Sequence, residues 1–412
     1  MDAYVLEQLN AMPAPTWHRL NMNSTDVEVP GSLEAVSDVV VQADPDAFGD
    51  ADAFDRAMSK AQEARMAARP APERTCVAEE TFDNLALSAY QARAAAIEDA
   101  RDIRATFETG MGEAGAAFLN TVAGDPIVIV SKPNAETSAT LRLTGVDGAV
   151  NACAVDVVAA ENSVVNLTVS VDSPALGAGF VGTELRVFAG KGSQVNIART
   201  QTLDSTWTDL DDMGLFADDG ARISIRETVL GAAKVYGGIG GDLRGDAARI
   251  DIDLRYLGHG ALERDFNYSL RHHGLKTECA IKANGVLAGS SKKVLRGTID
   301  LVRGCKGSAG QENETVLLVD NSVTNLTVPV ILCNEDDVSG NHGATIGHVR
   351  DEQMLYLACR GISRDAAEKM FVRAIMEQAA LEAPDETTYR SVLRLGDTIL
   401  GNFSARLAED GE

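Results

Sequence analysis

Short segments in which apolar and polar residues alternate dominate the chain after Gly112. This alternation indicates β-strands with one buried and one exposed face. Four of the segments follow a turn rich in Gly, Asp, Asn and Ser: ENSVVNLTV, GKGSQVNIA, DDGARISIR and GDAARIDID. With Val165, Val195, Ile223 and Ile250 as equivalent positions, the repeat advances by 30, 28 and 27 residues. Because one coil can bury its inward face only against the next, this repeat predicts a mainly β fold with a right-handed parallel β-helix core over residues 113–345.

Helical patterns flank this core. From Ala53 to Gly110 the chain is rich in Ala and places apolar residues at helical spacing, so residues 1–112 are predicted to be an N-terminal helical region. Residues 346–412 are predicted to be a C-terminal one, in which a helix over 351–359 ends at Gly361 and Ser363 caps the next helix, which Pro384 ends. That second helix has an apolar stripe consisting of Ala367, Met370, Phe371, Ala374 and Ile375.

The chain is strongly acidic, with a formal net charge of −24. Nucleic-acid binders concentrate Lys and Arg on one face, so we expect no nucleic-acid partner. The first residues, MDAYVLEQLNAMP, have no basic segment, and no apolar run approaches 18 residues, so neither secretion nor membrane spanning is indicated. We therefore expect a cytoplasmic protein whose partners are proteins, small molecules or metals.

The six cysteines are far apart and form no C-x-x-C motif: Cys76, Cys153, Cys279, Cys305, Cys333 and Cys359. This spacing does not encode a zinc site or a cluster site within one segment. We expect most of them to be buried thiols that pack as small apolar groups, with a shared-ligand role open for one of them.

Motifs for nucleotide binding and hydrolysis are missing or lie in the wrong context. The G-x-G-x-x-G pattern at 177–182 is followed by TELRVFAG, which indicates a strand, whereas dinucleotide binding requires a helix there. No phosphate-binding loop and no hydrolase motif occurs. A calcium β-roll is also disfavoured, because GGIGGDLRGDAA is a single stretch without a recurrent Asp ladder. We expect no bound nucleotide and no enzymatic activity.

Two acidic clusters and one histidine are the candidate functional residues. One cluster consists of Asp209, Asp211 and Asp212, and the other of Glu335, Asp336 and Asp337. Each is either a set of paired carboxylates or a solvated turn, and the high negative charge of the chain favours solvated turns. His342 lies between Gly340 and Gly343, where an accessible imidazole can ligate Fe(II) or accept a proton. The alternative is a structural histidine in a tight turn. His348 is expected to be a surface residue.

The segment 332–362, LCNEDDVSGNHGATIGHVRDEQMLYLACRGI, closely resembles the hallmark segment of the SufB/SufD family of iron–sulfur cluster assembly scaffolds. The matching residues are Asp336, Asp337, Val338, His342, Gly343, Ala344, Thr345, Gly347, Tyr356, Leu357, Arg360, Gly361 and Ile362. The resemblance continues in YGGIGGDL, NGVL and VLRGTIDL upstream, and in PAPTWHRLNMN near the N-terminus. It implies a β-helical core with helical regions at both ends.

The resemblance is to SufD more than to SufB. SufB-type chains have Glu where this chain has Gly343, and a Cys near Asn321–Ser322–Val323–Thr324. The resemblance implies a scaffold that docks the SufC ABC ATPase through its C-terminal region and pairs with a SufB-type paralogue, or with itself, through the last coils. His342 would then contribute to a transient iron–sulfur cluster shared between subunits. Cys333 is either a substitute ligand or a buried thiol at a strand end, and Cys359 is expected to pack on its helix.

Three alternatives stay open at this point. The C-terminal helices are either a docking face or only a cap over the exposed end of the solenoid. The chain could instead be a β-helical polysaccharide lyase or hydrolase, which its 5% aromatic content disfavours. It could also be a purely structural assembly subunit that does not contact iron.

Overall fold

The structure is a computed structural model that describes residues 4–14, 22–68, 103 and 106–410. Its centre is a β-solenoid of about eight coils, in which successive strands of the chain alternate between two nine-stranded sheets. The predicted parallel β-helical core with helices in both terminal regions is confirmed.

The strands of the first sheet are β4 (Val39–Ala43), β6 (Glu136–Thr144), β8 (Val164–Asp172), β10 (Gln194–Thr202), β12 (Arg222–Val229), β14 (Arg249–Gly258), β16 (Glu278–Leu287), β18 (Ala309–Leu318) and β20 (Ser339–His348). Those of the second are β3 (Glu34–Val36), β5 (Ile127–Val130), β7 (Ala149–Ala159), β9 (Gly179–Ala189), β11 (Trp207–Ala217), β13 (Lys234–Leu243), β15 (Glu263–His272), β17 (Lys292–Leu301) and β19 (Thr324–Cys333). Strands β1 (Tyr4–Leu9) and β2 (Thr25–Val29) form a separate antiparallel pair. The helices are α1 (Ala53–Ala68), α2 (Glu113–Ala123), α3 (Asp351–Cys359), α4 (Arg364–Leu381), α5 (Glu386–Leu400) and α6 (Phe403–Asp410).

The repeat inferred from the sequence is the hydrogen-bonded register of the first sheet. Val195 pairs with Val165 on one side and with Ile223 on the other, and Ile223 pairs with Ile250. These side chains point inward, and all four are 0% exposed. Alternate residues of each strand therefore stack in columns through the solenoid, and the columns form its main apolar core.

The N-terminal region contains strands as well as helix. Helix α1 lies within the range predicted to be helical, but β1 to β4 precede it, and β3 and β4 pair with the solenoid. The rest of that range, including LALSAYQARAAAIEDARDIRATF, lies mostly outside the described residues. The division of the chain at residues 112 and 345 stays a prediction, although β20 continues to His348.

Chain segment 106–112 crosses the outer face of the second sheet at very short range. A side chain on Gly110 would collide with the backbone of Ile239, and one on Gly238 would collide with the backbone of Met111. The glycines of YGGIGGDL therefore allow two backbones to pass each other. Asp212, on the outward side of β11, accepts a hydrogen bond from the Met111 backbone N–H at 2.8 Å. Burial raises the pKa of the Asp212 carboxyl to about 8.

The C-terminal helices follow the predicted pattern. Helix α3 has the predicted bounds, Gly361 has a φ of +81°, and the Ser363 side chain accepts a hydrogen bond from the Ala366 backbone N–H. Helix α5 is fixed to the solenoid by Arg394, which forms ion pairs with Asp172 and Asp204 at 2.5 and 2.7 Å. None of the helices in the described ranges is long and apolar enough to cross a membrane.

We predict that Asp212→Asn makes the protein more stable at alkaline pH. The folded-state pKa of Asp212 is raised, so its favourable contribution is complete below the unfolded pKa, near 3.8, and is lost as pH rises through about 8. Asn keeps an acceptor for Met111 without the buried charge. The unfolding free energy of the variant should exceed that of the parent by on the order of 2 kcal/mol at pH 9, with a smaller gap at pH 5.

The measurement is chemical denaturation at both pH values. Asp125→Asn, which changes an exposed carboxylate, is the control and should follow the parent. A gap that is the same at pH 5 and pH 9 would contradict the argument.

Candidate functional site

The end of the solenoid formed by β19 and β20 is open. These strands are the last of their sheets, and each pairs on one side only, with β17 and β18 respectively. Side chains at their inward positions therefore rest on the coil below, and no further coil of the described chain covers them. Residues that would be interior in any earlier coil are accessible here.

His342 occupies such a position. It lies within strand β20, so the alternative interpretation, a structural histidine in a tight turn, does not hold. The preceding residues of its column are Leu167, Ile197, Ile225, Ile252, Ile281 and Glu312, each 2% exposed or less. His342 itself is exposed because the ladder ends with its strand. His348 is also exposed, as predicted.

Cys333 is the last residue of β19 and lies at an inward position of the same coil. The residues beneath it, Leu301 and His272, are 0% exposed. Cys333 is at a strand end, as predicted, but it is exposed, so the expectation that it is buried is wrong. Its Sγ donates to the Glu335 carbonyl at 3.3 Å. Both candidate ligands, His342 and Cys333, therefore lie on the last coil of the solenoid, which is formed by β19 and β20 and is called the open coil below.

No complete metal site is formed by the described part of the chain. No group of three or more His, Cys, Asp or Glu side chains is placed to hold an ion there. Asp336 and Asp337 lie on an exposed turn after Cys333, as predicted. The open coil thus offers individual donors, and a cluster bound there would require further ligands from elsewhere.

Charged residues lie beneath the open coil, where sequence analysis did not identify them. Lys293 and Glu314 form an ion pair that is almost fully buried. Glu314 also accepts hydrogen bonds from the Tyr256 hydroxyl at 3.1 Å and the Thr327 hydroxyl at 2.5 Å. Glu312, two residues earlier, is buried too. The sequence signal that could have identified them is the presence of two glutamates at alternate, inward positions of the strand AGQENETVLL.

The acidic cluster at 209–212 is interior, and its interpretation as a solvated turn is wrong. Asp209, Asp211 and Asp212 are all 1% exposed or less, on strand β11. Asp209 and Asp211 point inward and form ion pairs with the buried Arg199 at 2.8 and 3.0 Å. The alternation of DLDDMGLF, with Met213 and Leu215 continuing the inward face, contained this information.

Two other expectations are resolved by the fold. The G-x-G-x-x-G segment leads into strand β9, as predicted, so it lacks the helix that a dinucleotide site requires. Cys359 is exposed, which contradicts its predicted packing role, and Cys76 lies outside the described residues.

A family model described as SUF system FeS cluster assembly, SufBD core domain, matches residues 141–375, which is more than half of the chain. The chain belongs to the SufBD family. The resemblance of the 332–362 segment is thereby confirmed, and the matched range includes the open coil and most of helix α4.

Curated relatives match over a smaller part. The iron-sulfur cluster assembly protein SufD of Bacillus subtilis is 27% identical over 145 residues, which are 35% of this chain and 33% of that protein. A SufBD family protein of Mycobacterium leprae is 31% identical over 135 residues, 33% of this chain and 15% of that protein. One of Staphylococcus saprophyticus is 29% identical over 145 residues, 35% and 31% of the two chains. The matches therefore span about a third or less of each relative.

The predicted docking stripe of this SufBD chain is divided by the packing of helix α4. Met370 is 51% exposed, whereas Phe371 and Ile375 pack partly against the C-terminal apolar cluster. The buried face of the helix is formed by Ala367, Val372, Met376, Ala379 and Ala380. Met370 and Ala374 are thus the exposed residues of the stripe, and Met370 is the larger of the two.

The burial pattern predicts which cysteines of this SufBD chain react in the native state. Cys333 and Cys359 should be alkylated by iodoacetamide roughly 100-fold faster than Cys153 and Cys279. Burial raises the pKa of both slow thiols to about 12, which lowers the fraction of reactive thiolate. Peptide mapping over a time course measures each site separately. Modification of Cys279 at the rate of Cys333 would contradict the described burial.

Proposed function

We propose that this chain is a non-catalytic scaffold subunit of the SUF machinery, and that its open coil contributes His342, with Cys333 as a second candidate, to a transient iron–sulfur cluster. The main support for this proposal is that His342 and Cys333 both lie at inward register positions and are nevertheless exposed. Imidazole and thiolate are ligands that iron accepts. The cluster is cargo in this proposal, and its remaining ligands come from a second subunit.

The second subunit is a SufB-type paralogue or another copy of this chain, paired through the last coil. Strands β19 and β20 each have a backbone edge without a strand partner in the described chain, and such edges favour pairing with another chain. Asn325, at an inward position of β19, has buried amide atoms without hydrogen-bond partners. Ile346 is 50% exposed on the same coil. A partner that covers this end would pair with the strand edges and bury Ile346.

The third component is a SufC-type ABC ATPase, docked on the C-terminal helices. Leu355 and Tyr356 on α3 and Met370 on α4 are exposed at 65%, 56% and 51%. In this proposal ATP binding and hydrolysis take place on that partner, in the cytoplasm, and this chain binds no nucleotide. Movement of the ATPase pair would be transmitted through the helices, which Arg394 fixes to the solenoid, and would change the relative position of the two open coils.

We predict that His342→Ala lowers the iron and sulfide content of the purified complex several-fold without preventing its assembly. The side chain is exposed, so the free energy of unfolding should change by about 1 kcal/mol or less. The measurement is iron and acid-labile sulfide per complex, together with size-exclusion chromatography.

His348→Ala is the matched control, because it changes an exposed histidine of the same strand. Equal cluster content in the parent and both variants would favour the purely structural role. Loss of the complex in His342→Ala alone would assign the residue to the subunit interface.

We predict that Met370→Asp weakens binding of the ATPase by at least about tenfold, because it places a charge on an exposed apolar contact. It is a cleaner test than Phe371→Asp, since Phe371 contributes to internal packing. Leu381→Asp changes a residue that is 82% exposed at the C-terminal end of the same helix and serves as the control. Affinity is measured by titration calorimetry. Unchanged affinity of a folded Met370→Asp variant would leave the helices as a cap for the solenoid.

A further inference from the structure

One column of inward side chains changes from apolar to ionisable residues just below the open coil. From β8 to β16 its residues are Leu167, Ile197, Ile225, Ile252 and Ile281, all buried in the main core. In β18 the next residue is Glu312, and in β20 it is His342. An apolar residue would continue the column at no desolvation cost, whereas a buried carboxyl group is costly unless it is paired.

Glu312 is not fully paired. The residue is 2% exposed, and its Oε2 atom is buried without a hydrogen-bond partner in the described chain. Opposite it on β17 is Gly297, where any side chain would collide with the Glu312 carboxyl group. Because Gly297 has no side chain, the Glu312 carboxyl group can lie against it, and the Oε2 atom of that group has no hydrogen-bond partner in the described chain.

The surroundings of Glu312 support a polar site. Burial raises the pKa of Glu312 to about 7, and the neighbouring Glu314 acts in the same direction, while Lys293 opposes it. Lys293 is already bonded to Glu314 and Thr327. The donor that Glu312 lacks is therefore to be sought on the other side, at the open coil.

His342 is the register partner of Glu312 in the parallel ladder. Paired residues of neighbouring strands point to the same side of a sheet, and the strands are about 4.8 Å apart. We propose that Glu312 is a positioning residue for His342: its free carboxylate oxygen accepts one imidazole N–H, so that the other ring nitrogen presents its electron pair at the open coil to a divalent first-row metal ion. This inference rests on the proposed function for the identity of the metal, but not for the hydrogen bond.

The chemistry follows a general pattern of metal sites. A carboxylate that accepts the second N–H of a histidine fixes the tautomer and the ring orientation and makes the metal-facing nitrogen more basic. An exposed histidine without such a partner would populate both tautomers and several rotamers. Glu312 would thus prepare a single donor before the partner subunit arrives.

The test compares Glu312→Ile with the parent. Ile continues the column, so the variant should fold and be at least as stable, and Glu312→Gln preserves the size of the side chain if Ile does not fit. The control is Gln311→Ile, on the outward, exposed side of the same strand. The chain has six histidines, so ¹⁵N-histidine NMR at pH 8 can follow each ring, with His342→Ala assigning the signal.

We expect the His342 ring to show one dominant tautomer in the parent and in Gln311→Ile, and a mixture in Glu312→Ile. Titration with Co(II), used alone as the probe, should show an affinity about 10- to 100-fold lower in Glu312→Ile. Identical ring signals in the parent and Glu312→Ile would overturn the positioning role. If His342→Ala binds Co(II) as the parent does, the metal role of His342 fails, and the tautomer comparison by itself still decides whether Glu312 positions the ring.

Discussion

The in-register stacking of inward side chains is the interaction on which the structure depends. Each buried Ile or Val of a coil is covered by residues of the coils before and after it, and full burial of such a side chain contributes about 1.5–3 kcal/mol. A coil with only one neighbour receives half of this cover. The exposure of His342 and Cys333 is a consequence of that geometry, because both occupy interior positions on the coil where stacking stops.

The same stacking brings charges into the core. Arg199 lies among Asp209, Asp211 and Glu227, and Lys293 lies against Glu314. Buried ion pairs contribute little net stability, since desolvation offsets much of their attraction. They do penalise alternative registers, because a shift by one residue would move every inward charge of a strand to the opposite face. Glu312 differs from these residues in forming no ion pair within the described part of the chain; the nearby Lys293 pairs with Glu314 instead.

The outer faces of the two sheets are covered differently. On the second sheet the segment 106–112 crosses β13 at the glycines, and the Asn10 amide donates to the Asp265 carboxylate at 2.8 Å. On the first sheet α5 is held by Arg394, and Asp385 at its N-cap pairs with Arg142 at 3.0 Å. Since both covers are bound by buried or half-buried polar contacts, the surfaces left for partners include the open coil and the outer sides of α3 and α4.

The sequence by itself determined the elements and their order. Alternation and turn composition predicted the repeat with the correct register at single-residue precision, as the pairing of Val165, Val195, Ile223 and Ile250 shows. The reason is that side chains of a strand alternate with a period of two, so only one set of residues can face inward. Capping chemistry similarly located α3, Gly361 and Ser363. These signals are local, and each is complete within a few residues.

Tertiary structure alone decided which of those positions are covered. Asp211 and His342 both lie at inward positions of their strands, yet one is buried and the other is exposed. The difference is the presence or absence of a following coil, together with distant groups such as Arg199 or the crossing segment at Gly110. Burial of a charged residue depends on partners that are far away in the chain, and no local pattern contains them.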